Sequence, residues 1–186
     1  MATMSAAATR PRADSYTCVA IAFHWTTAVL VLFMIAAGIL MLRLPEGDSQ
    51  NLLFNLHRSV GVLLFPLVLV RLIYRLRHPP PPLPDDLMPL QKLAAHLNHY
   101  ALYALLLLNP LLGWWATSAY GAVVNVFWLF ELPPIVAQNK PLSETLLAIH
   151  ASVGIAIALL VCMHIGAALF HHFIRRDRIL LRMLGR

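Results

Sequence analysis

Four apolar runs, at about residues 17–42, 52–76, 93–117 and 145–174, constrain this chain more than any other feature. Each exceeds the roughly 20 residues an α-helix needs to cross about 30 Å of hydrocarbon. In lipid the backbone must satisfy its own polar groups, so uninterrupted runs of this length predict helices. Arg58 and Arg71 interrupt the second run, and it is the placement of charge around it that completes the set of four. Composition points the same way. Of 186 residues, 60% are hydrophobic and 12% charged, against roughly 45–50% and 25% in soluble domains. Mean hydropathy is +0.72. A water-soluble core of this size cannot hide so much apolar surface, which excludes a soluble enzyme, a disordered chain and a fibrous repeat. The pI near 9.9 does not signal nucleic acid, because the basic residues lie between apolar runs rather than in one patch. The expected fold is an all-α integral membrane protein, a four-transmembrane-helix bundle forming one domain over residues 1–186.

Arg10 and Arg12 before the first run give the N-terminus a superficial likeness to a signal peptide. The run from Cys18 to Leu42 is too long for that and no A-x-A site follows, so it is retained as a span. Pro66 and Pro110 fall inside spans two and three, where neighbouring groups in a bundle satisfy the freed carbonyls. The connection from Arg43 to Asn51 is short, and His78–Pro84 is a stiff proline run that cannot be helical. The connection around 118–144, with Phe127, Trp128, Phe130, Pro133 and Pro134, is expected to hold a short interfacial helix. Cys18 and Cys162 belong to no CxxC or CxxCH pattern and are read as small, buried apolar residues, without disulfide, zinc or covalent haem. Positive charge sets the orientation. The N-terminus, the second connection and the C-terminus carry Arg10, Arg12, Arg75, Arg77, Lys92, Arg175, Arg176, Arg178, Arg182 and Arg186. The other two connections carry Arg43 and Lys140 against Glu46, Asp48, Glu131 and Glu144. By the positive-inside rule both termini are cytoplasmic.

Nine histidines occur in a chain with little reason to hold polar groups, and ionisable residues within spans mark function by default. His150 and His164 in span four are fourteen residues apart, about 40° short of four full turns, so they share a face with a rise of about 21 Å between them. Two imidazoles that far apart cannot share one metal ion, but each can hold one of two haems stacked across the bilayer. Antiparallel spans then select partners by depth: His24 with His164 near the inner face, His57 with His150 near the outer. A pair of neutral imidazoles suits the iron of a low-spin haem b. The bland alternative for any one membrane histidine is a hydrogen bond to a neighbouring helix or to water; four that pair by depth after an independent topology assignment favour ligation.

The remaining polar residues are less specific. His96 and His99, opening span three, are candidates for a quinone or haem-propionate site, with snorkelling interface residues as the alternative. His171, seven residues after His164 on a similar face, is the rival inner ligand, and its shallower depth counts against it. His172 is read as interfacial and His78 as solvated. Arg71 lies fourteen residues after His57 and so near the depth of His164, where it would pair with inner propionates or snorkel to headgroups. Arg58 is its counterpart at the outer site. Gly38, Gly61, Gly113, Gly154 and Gly166 would let helices or a porphyrin face come close.

Together, Ala22-Phe23-His24-Trp25, Leu56-His57-Arg58-Ser59-Val60-Gly61, His96-Leu97-Asn98-His99, Ile149-His150, and the tail His164-Ile165-Gly166-Ala167-Ala168-Leu169-Phe170-His171-His172-Phe173 with Asp177 and Leu181-Arg182-Met183 resemble the bacterial cytochrome b561 family, also represented in cytochrome b subunits of nickel–iron hydrogenases. The resemblance covers nearly the whole chain. It implies a bacterial inner-membrane protein with two non-covalent b haems on these four histidines. It further implies electron transfer between an outer-face donor, superoxide in one type, and ubiquinone. Hydrogenase-type relatives dock on an iron–sulfur partner and are expected to have an extra span, so the stand-alone type is favoured here. Two other functions remain in view: an electron-relaying anchor for a dehydrogenase or hydrogenase, and a haem-free transporter using histidines for protons.

Overall fold

A computed structural model describes residues 15–186. In chain order they form α1 (Cys18–Leu40), α2 (Asp48–Arg77), α3 (Pro89–Tyr120), a hairpin of β1 (Val124–Val126) and β2 (Phe130–Leu132), α4 (Lys140–Phe170), a π-helical turn (His171–Arg175) and α5 (Ile179–Met183). The four long helices are each long and apolar enough to cross a membrane. Arg10 and Arg12 lie outside the described residues.

Local chemistry sets the boundaries. Thr17 caps α1 by accepting from the Ala20 N–H at 3.2 Å, and Asn139 caps α4 by accepting from Leu142 at 3.1 Å, each satisfying a donor with no partner in the first turn. Pro89 opens α3 where its missing N–H has no cost, so that helix starts before the apolar run and carries Gln91 and Lys92 in its first turn. It ends at Gly121, whose φ of 88° suits glycine, and where an added Cβ would meet Gln138 at 2.8 Å. Pro66 and Pro110 sit inside α2 and α3, which run on through them.

α1 packs on α2, α2 on α3, and α3 on α4, while the backbones of α1 and α4 scarcely approach one another. Val31, Val60, Leu64, Val68, Tyr103 and Ile157 make the core between the helices. Large apolar side chains such as Val29, Leu159 and Met163 point outward, as a lipid-facing surface requires. Cys18 and Cys162 are exposed on that surface, not buried as their apolar neighbours suggested; in a membrane helix an apolar context does not imply an inward direction.

The connection after α3 is a hairpin rather than the interfacial helix expected from its aromatics. Its strands pair antiparallel, Val124 with Leu132 and Val126 with Phe130. The Leu129 N–H donates to Val126 O at 2.9 Å, and Phe127 (φ 48°) and Trp128 (φ 61°) are both left-handed, the geometry of a type I′ turn. Bulky residues rarely adopt it, at a cost of about 1–3 kcal/mol each. Ser59 of α2 holds the turn. Its fully buried hydroxyl accepts from the Phe127 N–H at 2.8 Å and donates to Asn55 O at 2.8 Å, with Asn125 O at 3.2 Å as a second acceptor. The Phe127 ring packs against the helix core.

At the opposite end, the C-terminal segment crosses back over the helices. Trp25 Nε1 donates to Met183 O at 2.9 Å, Arg182 to Pro82 O at 2.8 Å, and Arg175 to Asp86 at 2.6 Å. The start of α1 and the C-terminal segment thus lie at one end of the bundle, the terminal end, and the β-hairpin lies at the other.

Candidate functional site

Two imidazole pairs bridge the helices, one near each end. At the hairpin end, His57 of α2 and His150 of α4 have ring centres 6.1 Å apart. At the terminal end, His24 of α1 and His164 of α4 are 6.0 Å apart. These are the rings that depth arithmetic placed opposite each other. A metal ion bound to two imidazole nitrogens at about 2 Å from each sets the ring centres roughly 6 Å apart, so both spacings suit an ion held between facing rings. Among the described residues no group of three or more His, Cys, Asp or Glu side chains is gathered, and each pair offers two imidazoles.

At the hairpin end one ring of the pair is oriented by a backbone carbonyl. The His150 Nδ1–H donates to Asn109 O at 3.0 Å, which fixes the tautomer and leaves the Nε2 lone pair free, as metal-bound histidines are held. Both ring nitrogens of His57 are buried without a hydrogen-bond partner, at a cost of about 1–3 kcal/mol per group; a bound metal ion would satisfy the one that carries the lone pair. Glycines crowd both rings: a Cβ on Gly113 would lie 3.1 Å from His150 Cε1, and one on Gly38 3.5 Å from His57 Cε1. Gly61 and Gly154 instead face Met34 and Asn109, and nothing lies near Gly166. Arg58 sits beside this pair with its guanidinium 5.5 Å from the Phe54 ring centre.

The terminal-end pair is arranged differently. Arg71 Nη2 donates to His24 Nδ1 at 2.9 Å, and since a guanidinium can only donate, the neutral His24 ring carries its proton on Nε2. For His24 to bind a metal through Nε2, Arg71 must release Nδ1 to a proton and turn to another acceptor; the carboxylate of a haem is one. Arg71 also lies over Tyr103, 5.4 Å from its ring centre, with Arg75 at 5.9 Å. A third imidazole joins this end: His99 is 5.2 Å from His164, edge to face, with its Nδ1–H held by Ala95 O at 2.6 Å. His96 does not follow it. That ring is exposed and stacks with Tyr100 at 6.3 Å, so the two residues grouped by sequence have separate surroundings.

His171 is engaged elsewhere. Its Nδ1–H donates to Asp177, which also accepts from the Ile179 N–H at 3.0 Å and faces Arg175 Nε at 3.4 Å. Partial burial pushes the Asp177 carboxyl up, but these donors outweigh it and hold the group below its ordinary 3.8. Sequence reading left His171 as a rival ligand; six residues of separation across a π turn hid its carboxylate partner. His78, read as solvated, stacks flat on Tyr74, with ring centres 4.2 Å apart and 14° between planes.

The family model of prokaryotic cytochrome b561 matches residues 15–186. "Cytochrome b561 homolog 2" of Escherichia coli (strain K12) is 35% identical over 175 residues, covering 93% of this chain and 93% of its own. "Cytochrome b561 homolog 1" of the same strain is 35% identical over 164 residues, 88% of this chain and 93% of its own. "Probable superoxide oxidase CybB" of Yersinia pestis is 31% identical over 170 residues, 91% and 95% respectively.

Proposed function

The chain belongs to the prokaryotic cytochrome b561 family of membrane electron-transfer proteins, and we propose that it carries electrons across the bacterial inner membrane on two b haems, from an outer-face donor to ubiquinone. The observation that carries this reading is the two imidazole pairs at 6.0 and 6.1 Å, one near each end of the bundle. A haem bound between two imidazoles supplies a one-electron iron couple with no open coordination position.

The residues divide the remaining work. His57 and His150 ligate at the hairpin end, with Asn109 O orienting His150. His24 and His164 ligate at the terminal end. Arg71, released from His24, and Arg58 at the other end neutralise haem carboxylates, since an arginine fork is the natural partner of a carboxylate. His99 adds a polar neighbour to the terminal-end pair and, with His96, remains a candidate for propionate or quinone contact. By the positive-inside rule the excess of basic residues in the N-terminal stretch, the second connection and the C-terminus favours both termini in the cytoplasm, with the hairpin facing outward and residues 1–186 acting as a single membrane domain.

Superoxide is the donor suggested by the relative from Yersinia pestis. Arg43, Arg58 and Lys140 would attract that anion at the outer end, against Glu46, Asp48, Glu131 and Glu144. Raising the ionic strength should then slow superoxide consumption, and a salt-independent rate would end the steering argument. The central test is a dithionite-reduced minus oxidised spectrum of the purified protein with haem counted per chain. Two b haems per chain are expected. One would remove one of the histidine pairs, and none would return the histidines to proton or packing roles.

A further inference from the structure

A cavity of about 240 Å³ opens at the terminal end beside the start of α1 and the proline run, and a second of about 30 Å³, lined in part by Arg71, shares Tyr16, Ala20, His78 and Pro80 with it. They are outside both imidazole pairs and away from His96 and His99, and nothing described above uses them. Tyr16 and His78 line both spaces, and Phe23, Arg71, Tyr74 and Arg75 line the smaller one. The flat Tyr74–His78 stack forms one side. Its position is fixed twice, by the Tyr74 hydroxyl on Thr17 Oγ1 at 2.9 Å and by the His78 Nδ1–H on Tyr74 O at 3.2 Å. That second bond settles the neutral tautomer and leaves His78 Nε2 free, on an exposed residue. Arg71 lines the smaller cavity and lies beside His24, so the cavity and the His24/His164 pair are neighbours even when Arg71 turns from His24 to another acceptor. Among the described residues, neither Arg71 nor Arg75 has a carboxylate within 4.0 Å.

An extended aromatic face, phenol and guanidinium donors, and an imidazole open to water suit a flat ring that bears oxygens and takes up protons as it is reduced. We infer that these adjoining cavities bind the headgroup of the quinone acceptor, with the Tyr74–His78 stack as its platform and Arg71 as the link to the His24/His164 pair. The inference rests on the electron-transfer reading above and deepens it. The reaction balances as one quinone, two electrons and two protons giving one quinol: two ring C=O groups become C–OH. The two electrons would be supplied one at a time by the iron couple that His24 and His164 would hold. The protons come from water at this end, through His78 Nε2 for at least one of them. With superoxide as donor, two superoxide anions release two dioxygen molecules for each quinone reduced.

The test uses the haem-loaded protein and a short-tailed azido-ubiquinone, photolysed with and without excess unlabelled short-tailed ubiquinone. Competed label is expected within residues 15–23 or 71–82. His78→Ala and Tyr74→Leu should each lower labelling at least fivefold and raise the quinone KM by a similar factor. Haem content and ferricyanide reduction, which needs no pocket, should be unchanged. Competed label confined to residues 89–103, or quinone kinetics unmoved by both variants, overturns the assignment while leaving quinone reduction itself intact. Label in the cavity without quinone turnover in the unmodified protein would instead keep the binding site and sink the acceptor reading. Absence of competed label anywhere in the chain rejects the site.

Discussion

Replacing Ser59 with alanine should unclamp the β-hairpin, and the size of the effect can be worked from its contacts. The substitution strips the Phe127 N–H of the acceptor it holds at 2.8 Å. Leaving such a donor unpaired costs about 1–3 kcal/mol. The hydroxyl's own bond, to Asn55 O four residues back in the same helix, contributes little, because that carbonyl already serves the helix ladder. A central value of about 2 kcal/mol raises the open population of the hairpin roughly 30-fold at about 1.4 kcal/mol per decade. The two left-handed aromatics bias the released turn toward relaxation rather than reclosure. Amide hydrogen exchange of protein in lipid nanodiscs reads this directly. Amides from Val124 to Leu132 should exchange about 30 times faster in Ser59→Ala, with the middle of α3 unchanged. Adding Trp128→Gly should recover about 1 kcal/mol, the left-handed penalty of an L-residue. A change below about threefold in Ser59→Ala would show that the hydroxyl does not hold the turn.

Three further outcomes follow. His150→Ala should leave one haem per chain, with the terminal-end site intact, and His164→Ala should do the converse; haem quantitation with low-temperature spectra distinguishes them. Gly113→Val should weaken the hairpin-end site selectively, because even a Cβ lies 3.1 Å from His150 Cε1 and crowding of this kind costs about 1–3 kcal/mol; thermal release of one haem of two is the readout. Asp177 is held below its ordinary 3.8 in the folded chain, so its contribution to C-terminal docking is fully present above about pH 4 and is lost as pH falls through the lower, folded value. Exchange at Ile179–Met183 should therefore accelerate only in acid, and Asp177→Asn should show the same loosening at pH 7.

Much of the frame was legible from residue order because lipid leaves few options: an apolar run longer than 20 residues becomes a helix, and antiparallel order fixes which histidines share a depth. The fourteen-residue intervals from His57 to Arg71 and from His150 to His164 carried enough geometry to bring Arg71 to the end where it meets His24. What sequence did not reveal depends on contacts between distant segments. The hairpin has three-residue strands and aromatics where a type I′ turn prefers Asn or Gly, so no local signal announces it; Ser59, far away in α2, makes it tenable. His99 and His96 lie three residues apart on one helix, yet only His99 meets α4, a difference set by where α4 packs. His78 is exposed as its loop position suggests, but its flat stack on Tyr74 has no local signal in the proline run.

The separation of α1 from α4 bears on how such a chain is made. Three helix contacts form between neighbours in sequence and can be completed as the spans enter the bilayer one after another. The fourth side of the bundle has no helix–helix seam of its own; its first and last spans meet through His24 and His164 and through the tail that ties Met183 to Trp25. Closure of that side therefore depends on residues near the C-terminus, Met183 among them. A group lodged between those two rings would tie the first span to the last across the side that has no helix–helix seam.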